Sequence, residues 1–307
     1  MSDKDNAQLQ EIIYKLVSEM VNEKEDWQKD DIPKQNKAAK AGEGLQGQDP
    51  QADTDEVPDL SEVDFRKILR VPNPANGEEF MRLKEKTSAR LGIWRAGPRA
   101  RTESYLRFRA DHAAAMDAVF SDVDEKLLEE HHLFSIQSKC RNKDEFLTRP
   151  DLGAQLDEDA IATLKEKCLM NPDIQVYFSD GLSSSSVGAN MGDLLPAIQQ
   201  GLANSGLKIG TPFFVKYGRV RTMDKISEVL GAKVMAVCIG ERPGLATSES
   251  LSVYMCYNAY VGVPEANRTV VSNIYSGGSN PAEAGALIAE LLLRMYKEKA
   301  SGIDFKI

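Results

Sequence analysis

A single carboxylate stands at the end of an apolar run in the stretch VMAVCIGERPGL, residues 234–245. The run stops at Glu241, between two glycines, which is typical of a buried strand that ends in a turn. Glu241 at such a place could accept hydrogen bonds from a neutral ligand rich in amides, since a charged acceptor bonds about twice as strongly as a neutral one. The alternative is a structural ion pair with Arg242, Arg219 or another arginine, which spacing alone slightly favours.

Three further predicted strand ends carry polar residues and glycines. They are Asp180-Gly181-Leu182-Ser183, Tyr217-Gly218-Arg219-Val220 and Ser272-Asn273-Ile274. Glycine lets the backbone approach a ligand closely. These segments are therefore candidates for a binding surface built from strand ends.

A second group of candidates is a run of arginines between residues 90 and 109. Its members are Arg90, Arg95, Arg99, Arg101, Arg107 and Arg109. Such a group can clamp a phosphate or carboxylate through paired hydrogen bonds. Arginine is also enriched in subunit interfaces, which is the alternative.

The sequence contains no recognisable catalytic machinery. Dinucleotide (G-x-G-x-x-G), Walker and G-x-S-x-G motifs are missing. The three histidines, His112, His131 and His132, fall within or at the end of helical stretches, and no cluster has the spacing of metal ligands. We therefore expect no catalytic residue and no metal site in this chain. The pattern is typical of a binding module, or of a subunit whose chemistry lies elsewhere.

Charge and cysteine content narrow the class further. The formal net charge of the 307 residues is −9, and residues 1–60 account for −8 of it with 7 lysines against 15 acidic residues. A nearly neutral body argues against a nucleic-acid-binding protein. The four cysteines are far apart, which indicates buried free thiols. No apolar run reaches the length of a membrane helix, so we expect a soluble, cytoplasmic protein.

The chain divides by composition into four segments. Residues 1–24 have the spacing of an amphipathic helix, and residues 25–59 are polar and rich in glycine and glutamine, as in a flexible linker. The helix either rests loosely on the body or docks into a groove of another protein, and the long linker favours docking. Residues 60–130 are predicted to be a small helical domain, and residues 131–307 an α/β domain.

The α/β segment alternates apolar, β-branched runs with helical patterns. Predicted strands cover residues 133–138, 174–180, 211–218, 233–240, 251–259 and 268–275; predicted helices cover 157–171, 191–206, 222–231 and 281–299. This alternation predicts a mostly parallel, Rossmann-like sheet with helices on both faces. Ligands of such sheets bind beyond the carboxyl ends of the strands.

Several long motifs carry a family resemblance. They are RAGPRARTESYLRFRADHAAAMDAVF, FLTRPDLGAQL, NPDIQVYFSDGLS, GLKIGTPFFVKYGRV, IGERPGLATSESLSVY and ANRTVVSNIYSGG. From about residue 60 to the C terminus the chain resembles the small (light) subunit of ethanolamine ammonia-lyase; residues 1–59 show only a general likeness. The resemblance implies a carbon–nitrogen lyase that converts ethanolamine to acetaldehyde and ammonia with adenosylcobalamin.

The resemblance also implies a partner and a site. The partner is a large subunit with a TIM barrel that carries the radical chemistry, while this subunit helps to enclose the cofactor. The cobalamin contacts fall on Val220, Glu241 and Val270, with Glu241 accepting hydrogen bonds from corrin amides. Some relatives have cysteine at Val270, so a backbone contact is expected there. The N-terminal helix resembles peptides that direct such enzymes into bacterial microcompartments.

A different class of function stays open beside this one. The chain could be a non-enzymatic α/β binding or scaffold protein that recruits partners through its N-terminal helix. Such a protein would be stable alone, and its strand-end residues could be changed without effect on any lyase.

Overall fold

The computed structural model describes residues 63–306, all of which lie within one compact unit, Val57–Ile307. The predicted helix 1–24 and linker 25–59 lie outside the described residues. The predicted boundary between a helical domain (60–130) and an α/β domain (131–307) stays a prediction.

The first part of the described chain is mainly helical. A 3-10 turn at Phe65–Lys67 is followed by helix α1 (Gly77–Glu85), the short antiparallel strands β1 (Arg95–Ala96) and β2 (Arg99–Ala100), and helices α2 (Thr102–Phe120) and α3 (Glu125–Glu130). Lys84 of α1 is buried and its ammonium donates to the carbonyls of Ile68 and Leu91, both at 2.7 Å. These bonds tie α1 to the segments before and after it.

Six strands form the main sheet: β3 (Phe134–Gln137), β4 (Ile174–Ser179), β5 (Phe213–Lys216), β6 (Val234–Gly240), β7 (Leu251–Tyr257) and β8 (Thr269–Ile274). Their order is β3-β5-β4-β6-β7-β8. The first four strands are parallel, whereas β7 runs antiparallel to both of its neighbours. All six predicted strands are found.

The sheet is therefore mixed, and the prediction of a mostly parallel, Rossmann-like sheet is not confirmed. The physical reason is the two connections on either side of β7. Residues 241–250 contain no helix and residues 258–268 contain only a 3-10 turn at Glu265–Asn267. Parallel neighbours need a long crossover, usually a helix, whereas a short connection returns the chain antiparallel.

Helices cover both faces of the sheet, which confirms the α/β class. After β3 come α4 (Lys143–Thr148), α5 (Pro150–Gly153), α6 (Glu158–Lys167), α7 (Ser184–Leu202), α8 (Thr222–Leu230) and α9 (Pro281–Glu298). One core joins α7 and α9 to side chains such as Phe178, and the other joins α6 and α8 to side chains such as Tyr177. These neighbours on β4 point to opposite faces because side chains alternate along a strand.

Helix boundaries follow their caps. Asn280 accepts from the N–H of Ala282 at 2.9 Å, so α9 begins at Pro281 as predicted. Helix α7 begins at Ser184, seven residues before the predicted start at Met191, because Ser183 caps it by accepting from the N–H of Ser186. The serine run that reads as a loop is thus the first turn of a helix.

All four cysteines are buried and free, as predicted. Among the described residues, no helix is both long and apolar enough to cross a bilayer.

Candidate functional site

The strand ends of interest meet at one edge of the sheet. Strands β3, β5, β4 and β6 are parallel, and β8 runs in the same direction because β7 is antiparallel to both β6 and β8. We call this side of the sheet the carboxyl edge. Asp180, Tyr217 and Glu241 follow directly after β4, β5 and β6 there.

Glu241 is held by a tyrosine from the neighbouring strand. Its backbone N–H donates to the carbonyl of Ser250 at 3.1 Å, and the hydroxyl of Tyr254 on β7 donates to its Oε1 at 3.1 Å. Burial, together with the charge of Glu241, raises the pKa of Tyr254 to about 12, so this hydroxyl keeps its proton at neutral pH. The interaction fixes the direction of the carboxylate.

The ion-pair interpretation of Glu241 is wrong for the described residues. Within positions 63–306 Glu241 forms no salt bridge with Arg242 or Arg219, and its Oε2 accepts no hydrogen bond. Arg219 instead donates to the carbonyl of Phe146 at 2.6 Å and lies 4.0 Å from the centre of that ring. Glu241 therefore keeps one carboxylate oxygen available for a ligand.

Val270 lies beside Tyr254 but not at a strand end. It is the second residue of β8, in register with Tyr254 of β7, which is in register with Val237 of β6. The side chain of Val270 is 44% exposed. β8 is the last strand of the described sheet, and near its C-terminal end its outer side is paired by an isolated bridge between Ile274 and Ser279.

Val220 belongs to the same face of the sheet. It lies in the loop between β5 and α8, half-buried, and packs on the hydrophobic cluster against which Tyr254 also packs. Tyr254 thus connects the three predicted positions: it bonds Glu241, pairs with Val270 and shares a cluster with Val220. Sequence reasoning missed it, although a tyrosine within a strand otherwise rich in apolar residues was the available signal.

Two strand-end glycines serve the packing of loops. A Cβ at Gly240 would lie 2.2 Å from the carbonyl oxygen of Ser183, and one at Gly181 would lie 2.4 Å from the carbonyl oxygen of Gly240. The sequence predicted a close approach to a ligand, whereas the close neighbour in the structure is the backbone of an adjacent loop or strand end. These glycines bring the loops after β4 and β6 together.

A buried aspartate supports the loop that carries Val220. Asp180 is 1% exposed and its Oδ1 accepts from the backbone N–H of Tyr217 at 2.8 Å, a residue with φ of 58°. Its Oδ2 accepts no hydrogen bond and lies 3.7 Å from the ammonium of Lys143. Burial raises the pKa of Asp180 to about 6. The sequence marked Asp180 as a strand-end residue but not this role.

A buried ion pair fixes the start of β8. The guanidinium of Arg268 donates to both carboxylate oxygens of Asp224 on α8 at 2.9 Å, and each side chain is at most 3% exposed. Arg268 also bonds Glu265 at 2.7 Å. The pair connects α8, which follows Val220, to the strand that carries Val270.

Two arginines of the run between residues 90 and 109 form ion pairs within the chain. Arg90 and Arg107 both pair with Asp111, and Arg90 also donates to the carbonyl of Leu245 at 2.9 Å. They line a cleft of about 760 Å³ between residues 85–90 and the loop 244–249. These two arginines are thus held by a carboxylate of the chain itself. Among residues 63–306, no group of His, Cys, Asp and Glu has the arrangement of a metal site.

Comparison with known proteins assigns the chain to a family. The family model described as ethanolamine ammonia-lyase light chain (EutC) matches residues 77–306. The ethanolamine ammonia-lyase small subunits of Fusobacterium nucleatum and Clostridium tetani are each 54% identical over 251 residues, which cover 82% of this chain and 85% of each relative. The chain belongs to the ethanolamine ammonia-lyase light chain family. The resemblance seen in the motifs is thereby confirmed.

The N-terminal region is also shared with a member of this family. The ethanolamine ammonia-lyase small subunit of Clostridium perfringens is 46% identical over the whole of both chains. The alignment therefore includes residues 1–59, for which the motifs showed only a general similarity.

Proposed function

We propose that this chain is the small subunit of an ethanolamine ammonia-lyase and that its carboxyl edge helps to bind adenosylcobalamin against a large catalytic subunit. Family membership supports the lyase assignment. The observation that carries the cofactor contact is the carboxylate of Glu241, oriented by Tyr254 and with one oxygen left to accept.

The described residues fit the chemistry of a corrin. Its rim carries primary amides, which donate hydrogen bonds, and its flanks are apolar. Glu241 supplies an oriented anionic acceptor, and the half-buried Val220 and the exposed Val270 supply apolar contact on the same face. Outer backbone groups of β8 could also bond corrin amides. A contact of this kind does not depend on a thiol, so it is compatible with valine at position 270.

The roles in the reaction are divided between the subunits. When bound, adenosylcobalamin supplies the radical that starts carbon–nitrogen cleavage. This chain contributes no catalytic residue in our proposal; it holds the cofactor and covers it from one side. Asp180 and the Arg268–Asp224 pair act as positioning groups, because they fix the loop before Val220 and the strand of Val270.

The N-terminal segment has a separate proposed role. Residues 1–24, which lie outside the described residues, would direct the enzyme to a bacterial microcompartment through contact with shell or cargo proteins. Deletion of residues 1–30 is expected to leave lyase activity intact and to abolish association with the microcompartment. A loss of activity would show that this segment supports the fold or the assembly instead.

Absorbance titration of adenosylcobalamin tests the proposal most simply. The titration is made with this chain alone, with the large subunit alone, and with both. We expect tight binding and ammonia release from ethanolamine only for the mixture. A mixture that behaves as the sum of its parts would contradict the proposal and favour a scaffold protein that has kept the fold without the function.

A further inference from the structure

Helix α2 attaches to the rest of the molecule through its polar side. Ser104 is buried and donates to the carbonyl of Ile93 at 3.1 Å, and Asp111 receives the guanidinium groups of Arg90 and Arg107. Near the C-terminal end, the hydroxyl of Ser184 donates to the carbonyl of Ala118 at 3.2 Å. The side of α2 that faces the body is therefore held mainly by hydrogen bonds and ion pairs.

The opposite side of α2 is exposed and carries several large apolar side chains, with Arg109 and His112 between Tyr105 and Met116. Tyr105, Met116 and Phe120 share one side of the helix at 3.6 residues per turn, and Leu106 lies beside them; they are 52%, 44%, 49% and 48% exposed. A helix of a folded domain normally places its apolar side against the core. Here several large apolar side chains lie on the exposed side instead, and exposed apolar side chains grouped with polar ones mark an interaction site.

Unpaired arginines lie just before α2 and on its outer side. The guanidinium groups of Arg95, Arg99, Arg101 and Arg109 are exposed and form no ion pair or hydrogen bond with any residue in the described part of the chain. Trp94, which is exposed, precedes Arg95 in the chain and follows Ile93, whose carbonyl accepts from Ser104. Arginine, tryptophan, tyrosine and methionine are the residues that interfaces concentrate.

The charge of this surface argues against a second copy of the same chain as its partner. A two-fold interface brings identical patches together, and would here place free arginines opposite free arginines. Like charges across an interface repel each other, so an apolar surface that carries carboxylates is the better complement.

Helix α2 also lies near the proposed cofactor edge. The hydroxyl of Ser121, the residue after α2, lies 2.9 Å from that of Ser184, where α7 begins beyond the carboxyl end of β4. The bond from Arg90 to the carbonyl of Leu245 ties the segment before α2 to the loop that follows Glu241. A partner that covers the carboxyl edge is therefore placed to reach α2.

We propose that the outer side of α2, which carries Met116 and Arg109, docks together with the preceding Arg95, Arg99 and Arg101 onto an acidic and apolar surface of the large subunit. This inference rests on the proposed function, since the partner is the subunit that closes the cofactor site. The interface of this chain would then extend beyond the cofactor to a second, cofactor-independent contact.

Association of the subunits without cobalamin tests the inference. The variant is Met116→Glu, and its matched control is Leu287→Glu on α9, because both side chains lie on helices and are 44% exposed. We expect Met116→Glu to weaken the affinity for the large subunit at least tenfold in sedimentation experiments, and the control to leave it unchanged. Arg109→Glu, which keeps the apolar surface but reverses one charge, should weaken it in the same direction. Circular dichroism of each variant shows whether the fold is retained.

The outcomes separate this inference from the proposed function. Unchanged association of Met116→Glu and Arg109→Glu would overturn the docking surface, as would an equal loss in the Leu287→Glu control. If the unaltered mixture still binds adenosylcobalamin in that case, the proposed function stands without it. A chain that dimerises alone through Met116 would show a second copy on this surface and would also overturn the inference. Failure of the unaltered chains to associate would contradict both proposals.

Discussion

At the scale of single residues, the candidate site depends on one oriented carboxylate. Glu241 could be singled out from the sequence because it ends an apolar run. Its partner could not be, because Tyr254 lies 13 residues further on and comes near only when β7 folds back against β6. The sequence left an ion pair open for Glu241, and the structure shows instead a neutral donor that leaves the charge available for a ligand.

Removal of the Tyr254 hydroxyl should loosen Glu241 without removing its charge. Tyr254→Phe is expected to weaken cobalamin binding to the two-subunit mixture by about 1 kcal/mol, the net value of one hydrogen bond. Tyr257→Phe is the control, because it lies on the same strand and its hydroxyl makes no hydrogen bond with the described residues. Equal affinities of the two variants, measured by absorbance titration, would show that the bond does not orient Glu241.

The buried carboxyl of Asp180 predicts a specific pH dependence. Its pKa is raised to about 6, mainly by burial, against the opposing charge of Lys143. The folded protein then takes up a proton near pH 6 while the unfolded chain does not until about pH 4, so this group adds stability as the pH falls. Relative to Asp180→Asn, the native chain should gain about 1 kcal/mol in free energy of unfolding between pH 7 and pH 5. Thermal or denaturant unfolding at both pH values measures the difference, and parallel pH profiles of the two proteins would contradict the assignment.

At the scale of elements, the sequence predicted which segments are strands and helices better than how they pair. Each strand is a short β-branched run that its own residues identify, and α9 carries a proline start and an asparagine cap. The direction of β7 depends on the connection 241–250, whose lack of a helical pattern was a usable signal. The start of α7 was missed because serines favour loops and N-caps, and only the contacts of Ser183 and Ser184 show which serine is the cap.

The contact between the loops after β4 and β6 can be tested at Gly240. Gly240→Ala places a methyl group 2.2 Å from a backbone carbonyl, so the loops must separate, with an expected loss of about 1–3 kcal/mol in stability and weaker cobalamin binding. Gly188→Ala in α7 is the control, because no atom lies within 4 Å of its added methyl group. The control should be neutral or more stable by about 0.5–1 kcal/mol. Equal melting temperatures of the two variants would show that the edge tolerates the displacement.

The pair between α8 and β8 makes a second prediction at this scale. Arg268→Met leaves the carboxylate of Asp224 buried without its partner, which should cost about 3–5 kcal/mol in stability. The double variant Asp224→Asn, Arg268→Met removes both charges and should recover much of that loss. Chemical denaturation measures both, and a double variant as unstable as the single one would indicate that the loss comes from packing instead of an unpaired charge.

At the scale of the whole molecule, the described chain is a body with two unusual surfaces. One combines the carboxyl edge at Glu241 and Val220 with the exposed face of β8 at Val270, and the other is the outer side of α2. Contacts within the chain hold both surfaces in place, and both are typical of a subunit that covers another protein. The sequence could show that the body is nearly neutral and lacks catalytic motifs. It could not show that large apolar side chains of α2 face outward, because that depends on which side of the helix packs against the body.

The central claim is that this subunit contributes a direct contact to the cofactor, and Glu241→Ala tests it most directly. The measurement is the equilibrium affinity of the assembled two-subunit enzyme for adenosylcobalamin. The control is Glu249→Ala on the same loop, whose carboxylate is exposed and bonds no described residue. We expect Glu241→Ala to reduce the free energy of adenosylcobalamin binding by about 1.5–3 kcal/mol, which is roughly a tenfold to hundredfold weaker affinity. The affinity of the control should be unchanged. An assembled enzyme that binds cobalamin equally well with and without the Glu241 carboxylate would contradict the account.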